Sequence, residues 1–188
     1  NVSPSGGMNL ETVEPIYLGK TTPDFTMGWN NNFTYKNFGL SFLINARVGG
    51  IVTSSTQALL DRFGVSKASA DARDAGGVMI PNQGLYDAKK YYTLVATGEN
   101  DLAGYYTYSA TNVRLQELTL SYKFNSRLFN NVIKDLTLSF VATNPWMIYC
   151  KAPFDPELTA STGTYGQGND YFMQPSLKSY GFSVKFKF

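Results

Sequence analysis

The chain has no histidine and a single cysteine in 188 residues, and each shortage removes a class of chemistry. Without histidine, a zinc site or a Ser-His-Asp triad would lack its commonest ligand or base. Cys150 has no second cysteine to pair with, which excludes an internal disulfide. Charge is sparse too: sixteen Lys plus Arg stand against fourteen Asp plus Glu, a net of +2. The basic residues are scattered rather than gathered into a stripe, so nucleic-acid binding is set aside. No apolar run approaches the roughly 20 residues that a spanning helix needs. Strands are not excluded by that, because their signal is alternation, and a mean hydropathy of -0.20 is compatible with it. Asn1 is not preceded by Met or a signal-peptide pattern; the targeting segment is expected either to have been removed or to lie in sequence not present here. No enzyme is expected.

What the chain has instead is thirteen Tyr, thirteen Phe and seventeen Gly, a composition for strands with aromatic surfaces. Five segments alternate with period two, the mark of a strand with two different faces. In residues 177–188, Tyr180, Phe182, Val184, Phe186 and Phe188 oppose Ser179, Gly181, Ser183, Lys185 and Lys187. In about 135–148, Leu136, Leu138, Phe140, Ala142 and Trp146 oppose Thr137, Ser139 and Thr143, with Pro145 expected to weaken the upper end. In 37–48, Phe38, Leu40, Phe42, Ile44, Ala46 and Val48 oppose Gly39, Ser41, Asn45 and Arg47, with Leu43 as the exception. Just before it, Phe25, Met27, Trp29, Phe33 and Tyr35 alternate with polar or small residues, and Lys36-Asn37 is the tight turn of a hairpin. In about 112–124 the apolar phase slips between Leu115 and Leu118, which predicts a β-bulge near Gln116 and Glu117.

The connections alternate between short and long. A tight turn at Lys36 and a moderate one over about 125–134 contrast with long insertions over about 49–110 and 149–176. Short ends and long ends then fall on opposite sides of an up-and-down sheet, as in a barrel with short periplasmic turns and long extracellular loops. The first insertion should hold a helix over about 54–63, with Leu59, Leu60 and Phe63 as its apolar side and Gly64 as its stop, and a second over 66–76.

A secreted, carbohydrate-binding antiparallel β-sandwich is the competing reading, since its strands alternate as well. Strand length favours the membrane: these run about 11 to 14 residues, where globular strands centre on about 5 to 6. Trp29, Phe33, Tyr35, Tyr122, Trp146, Tyr180 and Phe188 are read as strand-end aromatics of interfacial girdles, and closing on Phe188 suits an outer-membrane strand. Five strands cannot close, since small single-chain barrels have about eight, so the chain must pair with more protein.

The residues then become recognisable. PDFTMGWN at 23–30, FTYKNFGLSF at 33–42, VRLQELTLSY at 113–122, APFDPE at 152–157 and SYGF at 179–182 resemble, in order, the late-barrel elements of SusC/RagA-type TonB-dependent transporters of Bacteroidetes. The resemblance runs from Pro15 onward and is weakest over about 65–108. It implies an all-β fold in which residues 1–188 are the C-terminal portion of one barrel domain, about five strands of 22, without the upstream plug. It also implies outer-membrane localisation and import of glycan or peptide. The implied partners are the remainder of the barrel and plug, a SusD-like surface lipoprotein, the TonB complex through the upstream part, and outer-membrane lipid.

Candidate chemistry is thin. Asp155 and Glu157, in a loop bounded by prolines, read as caps for backbone amides, with calcium ligation in an extracellular loop or paired-carboxylate catalysis as alternatives. No third acid lies nearby, and no cofactor is otherwise expected. Tyr86, Tyr91, Tyr92, Tyr105, Tyr106 and Tyr108 read either as a contact surface for substrate or lid, or as packing within a large loop, which is the more ordinary reading. Asn45, Arg47, Glu117, Lys185 and Lys187 should face the lumen, and Gly166, Gly168, Asn169, Asp170 and Tyr171 have the composition of a flexible turn.

Overall fold

A computed structural model of the chain describes Glu14 and residues 16–96, 103–125, 135–158 and 166–187. The expected turn over 126–134, the closing Phe188 and the N-terminal residues up to Val13 lie outside the described residues. The described chain falls into two compact units: one from residues 22–50, 109–157 and 174–188, the other from 1–21, 51–108 and 158–173.

The first unit is a five-stranded antiparallel sheet. Strands β1 (Phe25–Tyr35) and β2 (Phe38–Val48) form the hairpin. Its first turn residue, Lys36, takes φ +53°, the sign that primed hairpin turns demand. Asn37 fastens the turn to the third strand of the sheet: its Nδ2 donates to Lys123 O at 2.7 Å, and its carbonyl accepts from Lys123 N–H at 2.8 Å. That third strand runs Asn112–Phe124, the fourth Asp135–Cys150 and the last Ser179–Lys187.

The bulge falls where the phase slip put it. Leu43 faces Glu117 while Ile44 faces Leu115, so Gln116 is the extra residue and the aromatic face is restored beyond it. The fourth strand runs through Pro145 as expected and ends at Cys150, two residues beyond the expected 148. Two register shifts against its neighbour explain this, one spanning Asn144 and Pro145 and one at Ile148. A proline within a bulge removes no ladder bond, and Asn144 supplies the local bend with φ +49°.

Cross-strand aromatic pairs knit one face together, including Phe38–Tyr122 at 4.7 Å, Trp29–Phe42 at 5.7 Å and Phe140–Phe182 at 5.5 Å. Each such pair adds about 0.5–1.5 kcal/mol beyond area burial. The same face is uncovered: Phe182 is 86% exposed, and Phe25, Met27, Trp29, Phe33, Tyr35 and Phe38 are all exposed. Trp29 departs from its expected strand-end place. It sits mid-strand, in one cross-sheet row with Ile44, Leu115 and Trp146.

The second unit is built from the long insertions. Strand β3 (Ile51–Ser54) leads into α1 (Ser55–Arg62), α2 (Lys67–Asp74), the hairpin β4 (Val78–Ile80) and β5 (Gly84–Tyr86), α3 (Ala88–Val95), a 3₁₀ turn (Ala103–Tyr106) and β6 (Thr107–Ser109). With β7 (Asn112–Phe124) and β8 (Asp135–Cys150) in the large sheet, β9 is Asn169–Asp170 and β10 is Ser179–Lys187. Each helix has a side-chain cap: Ser54 accepts from Gln57 N–H, Ser66 from Ser69 N–H and Asp87 from Lys90 N–H. Gly64, at φ +72°, stops α1 as expected. The buried side of α1 is not the expected one: Phe63 is 73% exposed, while Asp61 is only 3% exposed. Val95, Ala96 and Tyr106 form a small core against Ala58 and Tyr91.

Candidate functional site

The sheet's registers sort its polar side chains into rows. Arg47 lies opposite Asn112, and Asn45 opposite Arg114, both at the end where the long insertions leave. Glu117 lies opposite Leu43 and Thr143 in the middle. Lys185 faces Thr137 and Lys187 faces Asp135 at the short-turn end, where Lys123 Nζ also reaches Asp135 at 2.8 Å. The five expected lumen residues therefore share the face opposite the aromatics without forming one cluster. Between the two ends run short side chains, among them Gly39, Ser121, Ser139 and Ser183, which face one another across four strands. The packing there is close: a Cβ on Gly39 would lie 2.4 Å from Ser121 Oγ.

Asp155 and Glu157 are brought together, and what joins them is Arg114, a residue the sequence reading passed over. Arg114 Nη2 donates to Asp155 Oδ1 at 2.7 Å and lies 3.2 Å from Glu157 Oε2. Nη1 reaches Asp155 Oδ2 at 3.5 Å and Ser176 Oγ at 3.2 Å. Asp155 also accepts backbone N–H groups from Glu157 at 3.1 Å and Ser176 at 3.3 Å. The side chains of Arg114 and Asp155 are only 6% and 8% exposed. Burial pushes the Asp155 carboxyl up, but hydrogen bonds from Ser176, Arg114 and Glu157, with the charge of Arg114, outweigh it and hold the group below its ordinary value. One guanidinium thus pins both ends of the last long connection to β7. Among the described residues, no group of three or more acidic or cysteine side chains is arranged to hold a metal ion.

The tyrosines divide. Tyr92 and Tyr106 are buried, Tyr86, Tyr91 and Tyr108 are half-buried, and Tyr105 is exposed. Tyr106 donates its hydroxyl to buried Asp61 at 3.1 Å, and Gln57 Nε2 donates to the other oxygen of that carboxylate at 2.8 Å. Burial first, then the negative charge of Asp61, raises the pKa of Tyr92, Tyr106 and Tyr108. Tyr105 is raised by burial and then by Tyr91 and Tyr92. These hydroxyls remain donors at neutral pH, and most of the cluster is engaged inside the unit.

The segment read as a flexible turn is instead a junction between the two long insertions. Asn169–Asp170 pairs in parallel with Thr53–Ser54 as the third strand of a small sheet, β6-β3-β9. Buried Ser54 Oγ donates to Asp170 Oδ2 at 2.7 Å, Ser55 Oγ donates to Asn169 Oδ1 at 2.9 Å, and Thr53 N–H donates to Gly168 O at 2.8 Å. Gly168 has φ +75°, and a Cβ there would lie 2.6 Å from Thr21, so the position needs glycine on two counts.

No family model matches the chain. Among curated proteins it is similar to TonB-dependent receptor P3 of Formosa agariphila, 25% identical over 189 residues that cover 97% of this chain and 18% of that protein. Among solved structures it is similar to the RagAB peptide importer in its open-open state, with a TM-score of 0.64 and 19% identity over 89% of this chain and 17% of that one. The closed-closed state of the same importer gives 0.58 and 20% over 98% and 20%. The chain thus spans about a fifth of the length of each.

Proposed function

We propose, for a chain with the sequence and fold of a SusC/RagA-type TonB-dependent receptor, that it supplies five adjacent strands of an outer-membrane barrel importing a nutrient. The observation that carries this is the uncovered aromatic face. Fully burying one large apolar side chain yields about 1.5–3 kcal/mol. Ten residues of that face on β1, β2 and β10 are exposed: Phe25, Met27, Trp29, Phe33, Tyr35, Phe38, Tyr180, Phe182, Val184 and Phe186. At exposures of 53–86% they forfeit roughly 9–18 kcal/mol in water, as much as the whole stability of a typical domain of about 5–15 kcal/mol. Lipid hydrocarbon removes that penalty. A secreted sandwich would need a second sheet on this face, and the five-stranded unit contains none among its described residues.

In this reading the barrel has 22 strands and encloses a plug, and the opposite face lines its lumen through Asn45, Arg47, Glu117, Lys185 and Lys187. β2 and β8 each pair antiparallel with β7 and so run the same way, which puts both long connections at one end of the sheet. That end is extracellular, and the loops form part of the rim where a SusD-like lipoprotein docks, with Tyr105 and the paired Tyr171 and Phe172 as exposed aromatic contacts. The cargo is a peptide or glycan, and TonB acts through the upstream part of the transporter. A calcium ion is not needed to hold Asp155, whose charge is already met by Arg114.

Fractionation tests the membrane assignment: the full-length protein should be recovered only with detergent-extracted outer membrane, and a soluble monomer without detergent would refute it. A cysteine at Lys67, whose side chain is 92% exposed, should label in intact cells.

A further inference from the structure

The aromatic face is not uniform. Near the short-turn end it is hollowed into an apolar groove of about 680 Å³, within the usual 300–1,000 Å³ range of small-molecule sites. Its lining includes Leu120, Phe140 and Phe182 in one cross-sheet row, and Tyr35, Phe38, Tyr122 and Leu138 in the next row towards the short turns. In that row Tyr35 lies opposite Phe38 and Phe38 opposite Tyr122, so two phenol side chains share it. Beyond it, Lys36 holds its ammonium 5.4 Å from the centroid of the Tyr35 ring. The cation is thus drawn to the aromatic side of the sheet by its attraction to the ring. Lys123 is held otherwise, by the carboxylate of Asp135.

The result is amphiphilic: an apolar trough, a row with two phenols, and one cation past that row. We propose that this groove is a retention site for a single two-chain anionic phospholipid of the periplasmic leaflet, its acyl chains against Leu120 and Leu138 and its phosphate at Lys36 beside Tyr35. The proposal rests on the barrel reading, which sets the short-turn end at the periplasmic interface. Tyrosines at that depth put their rings in hydrocarbon and their hydroxyls among headgroups. A free phosphate would leave the apolar trough unused, and an uncharged hydrocarbon would leave Lys36 unused.

The test is native mass spectrometry of the full-length transporter, purified in detergent and equilibrated with dioleoylphosphatidylglycerol, with outer-membrane recovery and heat-modifiable migration checked for every variant. Lys36→Gln should lower retained lipid about fivefold, the size expected for one cation near an anionic headgroup. Leu138→Trp, which fills the trough, should lower it at least as much, and Lys123→Gln should leave it unchanged. Retention unaltered by Lys36→Gln in an assembled barrel overturns the site and leaves the barrel reading standing, as does equal loss with Lys123→Gln. Absence of the unaltered protein from the outer-membrane fraction overturns both.

Discussion

Replacing Arg114 with methionine would remove the side chain that holds Asp155, Glu157 and Ser176 together while keeping most of its aliphatic volume. Asp155, 8% exposed beside Arg114, would lose its countercharge. Breaking a buried ion pair from one side costs about 3–5 kcal/mol, because the surviving charge has lost its partner. Glu157, 30% exposed, contributes little to that figure, since water takes over its solvation. The cost should appear as local opening of residues 151–157 and 174–178 rather than loss of the sheet, whose ladder is untouched. Hydrogen exchange on the folded full-length protein should lose about 10²- to 4 × 10³-fold of protection in those two segments. Arg114→Met with Asp155→Leu should restore most of it, because two apolar groups leave no buried charge. Low pH should act in the same direction as the single variant. Asp155 is depressed below its ordinary value of 3.8, so its contribution is full above that value and is lost as pH falls through the folded one. Unchanged exchange in Arg114→Met, or a double variant no better than the single, would refute the clamp.

Other consequences follow from the same geometry. Phe182→Arg puts a charge on the most exposed aromatic position of β10 and should impair assembly by about 2–4 kcal/mol if that row lies near the midplane, seen as a lower yield of heat-modifiable barrel; equal yield would contradict the facing. Gly39→Ala should destabilise the barrel through the 2.4 Å approach to Ser121 Oγ, and Ser121→Ala should rescue it, since the Ser121 Cβ lies at an ordinary 3.8 Å; absence of rescue in urea titrations would mean the row is not packed as described. Raised pKa values at Tyr92, Tyr105, Tyr106 and Tyr108 make the loop unit's stability full below about pH 10 and progressively lost above it. Exchange in 55–95 should therefore accelerate at pH 11 well before exchange in β7, and equal acceleration in both would count against a tyrosine-held core.

The large sheet was readable from sequence because its strands are long and two-faced, so a period of two persists over enough residues to fix register. A slip of parity at Gln116 was as legible as the alternation itself. Pro145 was expected to weaken the upper end of its strand, and the ladder there is irregular, with extra residues at 144–145 and 148. The loop unit was less legible for a different reason. Its fastenings join residues far apart in sequence, Ser54 to Asp170 across 116 positions and Asp61 to Tyr106 across 45, and no local pattern signals such a pair. Helix α3 went unread because Tyr91 and Tyr92 were weighed only as loop packing, the more ordinary reading, or as a contact surface, and not for helical periodicity. The starts of the first two helices, at 54 and 66, were legible because each cap acts within one turn of its own helix.

The central claim is that the even positions of the last strand meet lipid and the odd ones a polar lumen. Nitroxide labels placed singly at 179–187, in a Cys150→Ser background of the full-length protein reconstituted in bilayers, report this through their collision rates with oxygen and with a water-soluble nickel chelate. The account predicts that 180, 182, 184 and 186 are oxygen-accessible and 181, 183 and 185 favour the nickel reagent, or are shielded by a plug, with period two. Even positions shielded from both reagents, as in a sandwich core, or a profile with no alternation, would contradict it.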